Sequence, residues 1–135
     1  MTIVGFSFSK IEAEKKEVSK GKISINNNVT IVSVEEKNLS FSSAKQKVLN
    51  FSFKFIANYS PQVGIITLAG NVLFMDEAAK VKTILDEWKK TKKLPKDITA
   101  KVLNTILNKS NIEALILSEH VNLPPPIPLP KVTPV

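Results

Sequence analysis

Leu49-Asn-Phe-Ser-Phe-Lys-Phe-Ile-Ala-Asn-Tyr59 alternates without a break: Leu49, Phe51, Phe53, Phe55, Ala57 and Tyr59 stand on odd positions, with Asn50, Ser52, Lys54 and Asn58 between them. Side chains of a β-strand point to opposite faces in turn, so this spacing predicts a strand with an aromatic row on one side and polar groups on the other. A sheet with one apolar face needs a layer of other elements to cover it.

Downstream, Tyr59-Ser-Pro-Gln62 carries turn chemistry, and Val63-Gly-Ile-Ile-Thr-Leu-Ala-Gly-Asn-Val-Leu-Phe-Met75 follows with apolar residues on both parities. Such a strand asks for cover on both faces. Helices supply one, and a second sheet or a second subunit must supply the other. Upstream, Lys22 to Val34 places Ile23, Ile25, Val29 and Ile31 opposite Ser24, Asn26, Asn28 and Thr30, the pattern of a half-buried antiparallel strand. Its Asn26-Asn27-Asn28 run suits a bulge or a turn, which leaves open one long strand or a hairpin of two. At the start of the chain Phe6 and Phe8 share a face, whereas Ile11 and Ala13 take the other parity, so a bulge is predicted near Ser9-Lys10.

After Met75 the period changes. Asp76 stands at a helix N-cap position with Glu77 behind it, and Val81, Ile84, Leu85 and Trp88 recur on one helical face. Lys92 and Lys93 close that helix before Leu94-Pro95 breaks it. A second helix starts near Lys96-Asp97 and carries Ile98, Val102, Leu103, Ile106 and Leu107. Asn108-Lys-Ser-Asn111 weakens its middle, and Ile112 and Ala114 to Leu117 give its second half an apolar surface too wide for one contact. The predicted class is α+β: a four-stranded antiparallel sheet followed by two helices.

Residues 1–122 form one domain on this reading, and residues 123–135 a proline-rich apolar C-terminal tail. A length of 135 residues and 43% apolar content suit a single core. Six of the eight prolines fall between Pro124 and Pro134. Leu123, Pro124, Pro125, Pro126, Ile127, Pro128, Leu129 and Pro130 favour a polyproline II conformation, stiff before it binds anything. Pro125 to Pro128 matches PxxP, with Lys131 as a loosely placed basic neighbour. The apolar residues Leu123, Ile127 and Leu129 favour packing on the chain's own sheet or on a neighbouring subunit over a solvated linker.

The formal charge is +7, and all 19 basic residues are lysine. Excess positive potential attracts phosphate, but the planar fork by which arginine grips it is missing. Lysine-rich, arginine-free usage also follows from an AT-rich genome or from heat adaptation. Lys89, Lys90, Lys92, Lys93 and Lys96 put five lysines in eight residues, the candidate basic patch for nucleic acid. No stacking platform interleaves with them apart from Trp88, which the helical spacing points inward. There is no cysteine, hence no disulfide framework or thiolate metal site, and no signal peptide or bilayer-spanning run is seen. A cytoplasmic, non-membrane protein is expected. The single histidine, His120, has no partner at ligand or triad spacing, and the four glycines are too scattered for a phosphate loop, so neither a catalytic residue, a metal nor a cofactor is predicted.

Four antiparallel strands followed by two helices resemble the SecB export-chaperone fold. Phe6-Ser-Phe-Ser-Lys-Ile-Glu-Ala-Glu-Lys15 is similar to the opening strand of that family in placing an aromatic pair before a charged half, and Gly70 and Phe74 before a helix are similar too. The resemblance covers most of residues 2 to 120. The segment from Leu103 to Pro130 also resembles small archaeal proteins of no assigned role. What the SecB resemblance implies is a holdase: an oligomer, dimer or tetramer, that binds unfolded polypeptides along apolar grooves between sheet and helix. Phe6, Phe8, Phe51, Phe53 and Phe55 are the candidate client-binding residues, with core packing as the competing role for the same row. The SecB family is acidic where it meets its export ATPase, so only client binding carries over to a chain of charge +7.

Overall fold

The computed structural model describes residues 2–16, 21–37, 46–130 and 132. Four strands, β1 (Thr2–Lys15), β2 (Ser24–Lys37), β3 (Gln46–Ser60) and β4 (Gly64–Glu77), precede two helices, α1 (Ala78–Thr91) and α2 (Lys96–His120). The strands form one antiparallel sheet in the order β1-β4-β3-β2. The strand with apolar residues on both parities, β4, is therefore interior, and the two most polar strands are the edges. Both helices lie on one face, over the row Leu49, Phe51, Phe53, Phe55 and Tyr59, all at most 1% exposed.

The register explains the sequence periodicities. The parity change after Phe8 is a register shift between Phe8 and Lys10, and a second lies between Ile3 and Gly5. Each shift turns the following side chains to the other face, which is how Phe6, Phe8 and Ala13 all reach the helix side. β2 is one strand. Its Asn26-Asn27-Asn28 stays in unbroken register with Ile56 to Asn58, so it forms neither hairpin nor bulge; the irregularity falls between Ile31 and Ser33 and turns Val32 out, 60% exposed. Pairing along the whole of β3 outweighs the local turn preference of three asparagines.

Asp76 is not the cap of α1. β4 runs through it, Asp76 Oδ1 accepts the Glu77 N–H at 2.7 Å, and α1 starts at Ala78 without a side-chain cap. A carboxylate one residue too early meets the amide next to it instead of the second or third helical amide. α1 ends at Lys92, which takes left-handed backbone (φ 58°) and sends its N–H to the Trp88 carbonyl at 2.9 Å.

α2 continues unbroken through Asn108 to Asn111. Its buried residues, Ile98, Val102, Ile106, Ser110, Ala114 and Ser118, recur at every fourth position. Side chains four apart are offset by about 40° around a helix of 3.6 residues per turn, so the buried stripe winds along α2 as the helix passes over the twisted sheet. The small residues of its second half let the backbone approach β4 closely, and that packing offsets the weak propensity of the asparagines. Ile112 and Ile116, 54% and 47% exposed, face away from the sheet.

The other face of the sheet carries no helix. It pairs Ser52 with Asn71, whose side chains share a hydrogen bond of 3.0 Å, and alternation puts Val48, Ile56, Ile65, Leu73 and Met75 on the same side. Val48 is fully buried and the others are half-buried.

Candidate polypeptide-binding site

The aromatic row sits beneath the helices. Phe51, Phe53 and Phe55 are 0%, 1% and 0% exposed, so of the two roles weighed for this row, client groove or core, these three take the core, beneath side chains of α1 and α2. Phe6 and Phe8 are half-buried at the edge: Phe6 stacks on Phe53 with ring centroids 5.4 Å apart, and Phe8 meets Phe53 edge-on at 6.2 Å. These contacts make one aromatic cluster in which only the two β1 rings reach the surface.

The apolar surface that is open lies at the opposite end of the sheet, around the β3–β4 turn. Here the chain passes from β1 towards β2, with the Lys16 N–H on the Val63 carbonyl at 2.8 Å. α2 lies over β4, β1 and β3, and α1 over β2, β3 and β4 at the other end, so at this end the β2 edge at Ile25, beside Tyr59, has little helix packed on it. The tail covers it. α2 stops at Val121 and Asn122, the latter left-handed at φ 58°, and the Leu123 N–H returns to the Ser118 carbonyl at 2.8 Å. That closure aims Leu123, 7% exposed, into the second half of the core against Gly64. A Cβ at Gly64 would meet Leu123 Cδ1 at 2.9 Å and the Glu14 carbonyl oxygen at 2.7 Å, so glycine is what lets the leucine sit down.

Beyond Leu123 the tail is held by its carbonyls. Tyr59 Oη donates to the Pro124 oxygen at 2.6 Å, and Asn27 Nδ2 donates to the Pro126 oxygen at 2.8 Å. Pro126 is buried and Ile127 half-buried, whereas Pro124, Pro125, Pro128, Leu129 and Pro130 are exposed. A cleft of about 670 Å³ runs between Ile25 and residues 124–130, and another of about 370 Å³ lies between α2, at Leu115 and Ser118, and the tail. Lys131 lies outside the described residues. Neither Asn27 nor the Tyr59 hydroxyl stands out in the sequence, the one inside an asparagine run and the other at the end of an apolar row. The available signal was that a tyrosine in a buried row needs a partner for its hydroxyl.

Burial pushes the Tyr59 phenol up from its ordinary 10.0 to about 12. Folding therefore favours the protonated phenol. The stability this gives is intact below pH 10, where both states are protonated, and is lost as pH rises from 10 towards 12, where only the unfolded chain ionises. At about 1.4 kcal/mol per pH unit, alkaline titration should cost about 2–3 kcal/mol across that window, read as a falling urea midpoint. Tyr59→Phe should flatten that part of the profile; an equally steep profile in the variant would assign the loss to other groups.

The basic patch is at the far corner. Lys89 and Lys90 end α1, Lys92 and Lys93 form the turn, and Lys96 begins α2; all five are exposed, with Lys92 Nζ 5.5 Å from the centre of the Trp88 ring. Trp88 is half-buried against the core and offers no free stacking face to a base. His120 is exposed at the end of α2. No group of three His, Cys, Asp or Glu side chains that could hold a metal occurs among the described residues, and no helix there is long and apolar enough to cross a membrane.

Strand order, helix placement and chain path together define a SecB-like α+β fold. A solved structure with the same architecture is the Mycobacterium tuberculosis SecB-like chaperone Rv1957 in complex with a ChAD peptide from the HigA1 antitoxin: TM-score 0.55, 12% identity, 99% of this chain and 91% of that one covered. No family model matches the chain, and no curated protein sequence does.

Proposed function

We propose that this chain is a non-enzymatic polypeptide-binding protein of the SecB-like kind, a cytoplasmic holdase that works as an oligomer. The observation that carries the proposal is a SecB-like fold over 99% of the chain, together with an apolar corner at which the chain's own proline segment is seated on side-chain donors. The peptide held by the Mycobacterium tuberculosis chaperone gives this fold a precedent for such binding. Self-association would cover the helix-free face of the sheet, where Ile65, Leu73 and Met75 are half-buried and Asn50 Oδ1 is buried without a hydrogen-bond partner. The tail, residues 123–135, is an appendage of the 1–122 domain that begins inside its core. Phe6 and Phe8 remain candidate client contacts through their surface edges.

A second reading, a basic accessory protein that binds RNA or a ribonucleoprotein, is favoured by one observation: five exposed lysines share the α1–α2 corner. Two measurements separate the readings. The full chain should suppress the light scattering of a chemically denatured protein diluted into buffer, at near-stoichiometric ratios and at both low and high salt, and its solution mass should be a multiple of 14.9 kDa. A monomer without suppression that binds RNA with a steep salt slope would replace the first reading by the second.

A further inference from the structure

The tail meets the sheet in a way that its own sequence does not require. Among the described residues, the two hydrogen bonds that side chains of the sheet donate to the tail are accepted by backbone carbonyls at alternate residues, Pro124 and Pro126. Backbone carbonyls are common to every polypeptide, so any segment that can follow the tail's path, with its bend at Pro126 and Ile127, offers the same two acceptors. Proline has no N–H, so a proline-containing segment can lie on this apolar floor without leaving a buried donor unpaired. We propose that the corner defined by Tyr59 Oη, Asn27 Nδ2 and Ile25 is a binding site for an apolar, proline-containing polypeptide segment, and that residues 124–130 occupy it in cis as a displaceable strap.

The inference rests on the polypeptide-binding reading and adds where such a segment binds and what holds the site shut. The strap is built to leave. Leu123 is locked into the core, but among the described residues past it only Pro126 is buried, and Leu129 is 46% exposed. A short tether keeps the strap at an effective concentration in the millimolar range, so it excludes weak ligands and yields to segments that bind more surface. The buried leucine fixes the hinge, and release requires no change in either helix.

The test compares the affinity of a fluorescently labelled, denatured and alkylated protein for three forms: the full chain, a chain ending at Leu123, and the full chain carrying Pro126→Glu, each checked for native circular dichroism. Releasing the strap should tighten binding at least tenfold in the shortened chain and in Pro126→Glu, and the glutamate variant carries the comparison if the shortened chain does not fold. Adding Asn27→Ala to the form with the tightened affinity should take back several-fold of the gain, since one of the two donors is gone. Equal affinity in all folded forms overturns the strap and leaves the polypeptide-binding reading standing. A gain that survives Asn27→Ala in full overturns the carbonyl-reading site. No binding by any form overturns the functional reading itself.

Discussion

Gly70→Val should yield no folded protein, and Gly70→Ala a chain destabilised by about 3 kcal/mol, the upper end of what overpacking costs. Gly70 lies in β4 directly between Phe8 of β1 and Phe53 of β3. A Cβ there would run into the Ser7 carbonyl oxygen and would stand 2.9 Å from Phe53 Cζ. The first neighbour is backbone held in a strand ladder and cannot step aside; the second is a ring locked between Phe6 and Phe8. The glycine is needed here for space, its φ being ordinary. For a domain of this size the alanine variant should melt about 10 °C below the parent, since 1 kcal/mol corresponds to roughly 3–5 °C. A shift of less than 2 °C would mean that β1 and β4 can spread without loss, and that the aromatic cluster is looser than its ring geometry indicates.

The second large effect is Phe53→Ala, expected to cost about 4 kcal/mol. Phe53 is 1% exposed and joins the rings of β1 to the main core beneath α1 and α2. Removing it leaves a void bounded by Phe6, Phe8 and the glycine that has no side chain to fill it. Phe53→Leu should cost far less, about 1–1.5 kcal/mol, because most of the volume stays. A double-mutant cycle of Phe53→Ala with Phe6→Ala should show a coupling of about 1 kcal/mol from the stacked pair. Additive losses in the urea midpoints would mean the two rings pack independently and that β1 is held by its backbone ladder alone.

Period-two spacing over Leu49 to Tyr59 located β3 and the core face, and the two-sided apolar content of Val63 to Met75 predicted cover on both faces of β4, of which the helices supply one. The parity change at Ser9-Lys10 located a bulge. Asn108 to Asn111 lies inside the helix expected to continue through it, and Asn26 to Asn28, left open between one strand and a hairpin, lies in one strand, since packing on the sheet and ladder pairing outweigh local preference; what the residues misled on was Asp76, which lies one residue short of a cap. The candidate site was half legible. The apolar tail indicated packing against something, but the strand order that brings Tyr59 beneath Pro124 and Asn27 beneath Pro126 exists only in the folded chain. For the phenylalanines the groove came from the family resemblance and the core from their spacing; spacing reports which face is apolar and is silent on what covers it.

The strand order β1-β4-β3-β2 also sets a sequence of events during synthesis. β2, β3 and β4 follow one another as neighbours and can pair as each hairpin is completed. β1 cannot: Lys15 pairs with Gly64 and Thr2 with Met75, so the strand made first waits until β4 has emerged. Throughout that interval Phe6 and Phe8 belong to a nascent, unpaired segment, the sort of exposed apolar stretch on which aggregation starts. On the proposed holdase reading, the chain is thus, for part of its own synthesis, in need of the shelter it would give to others.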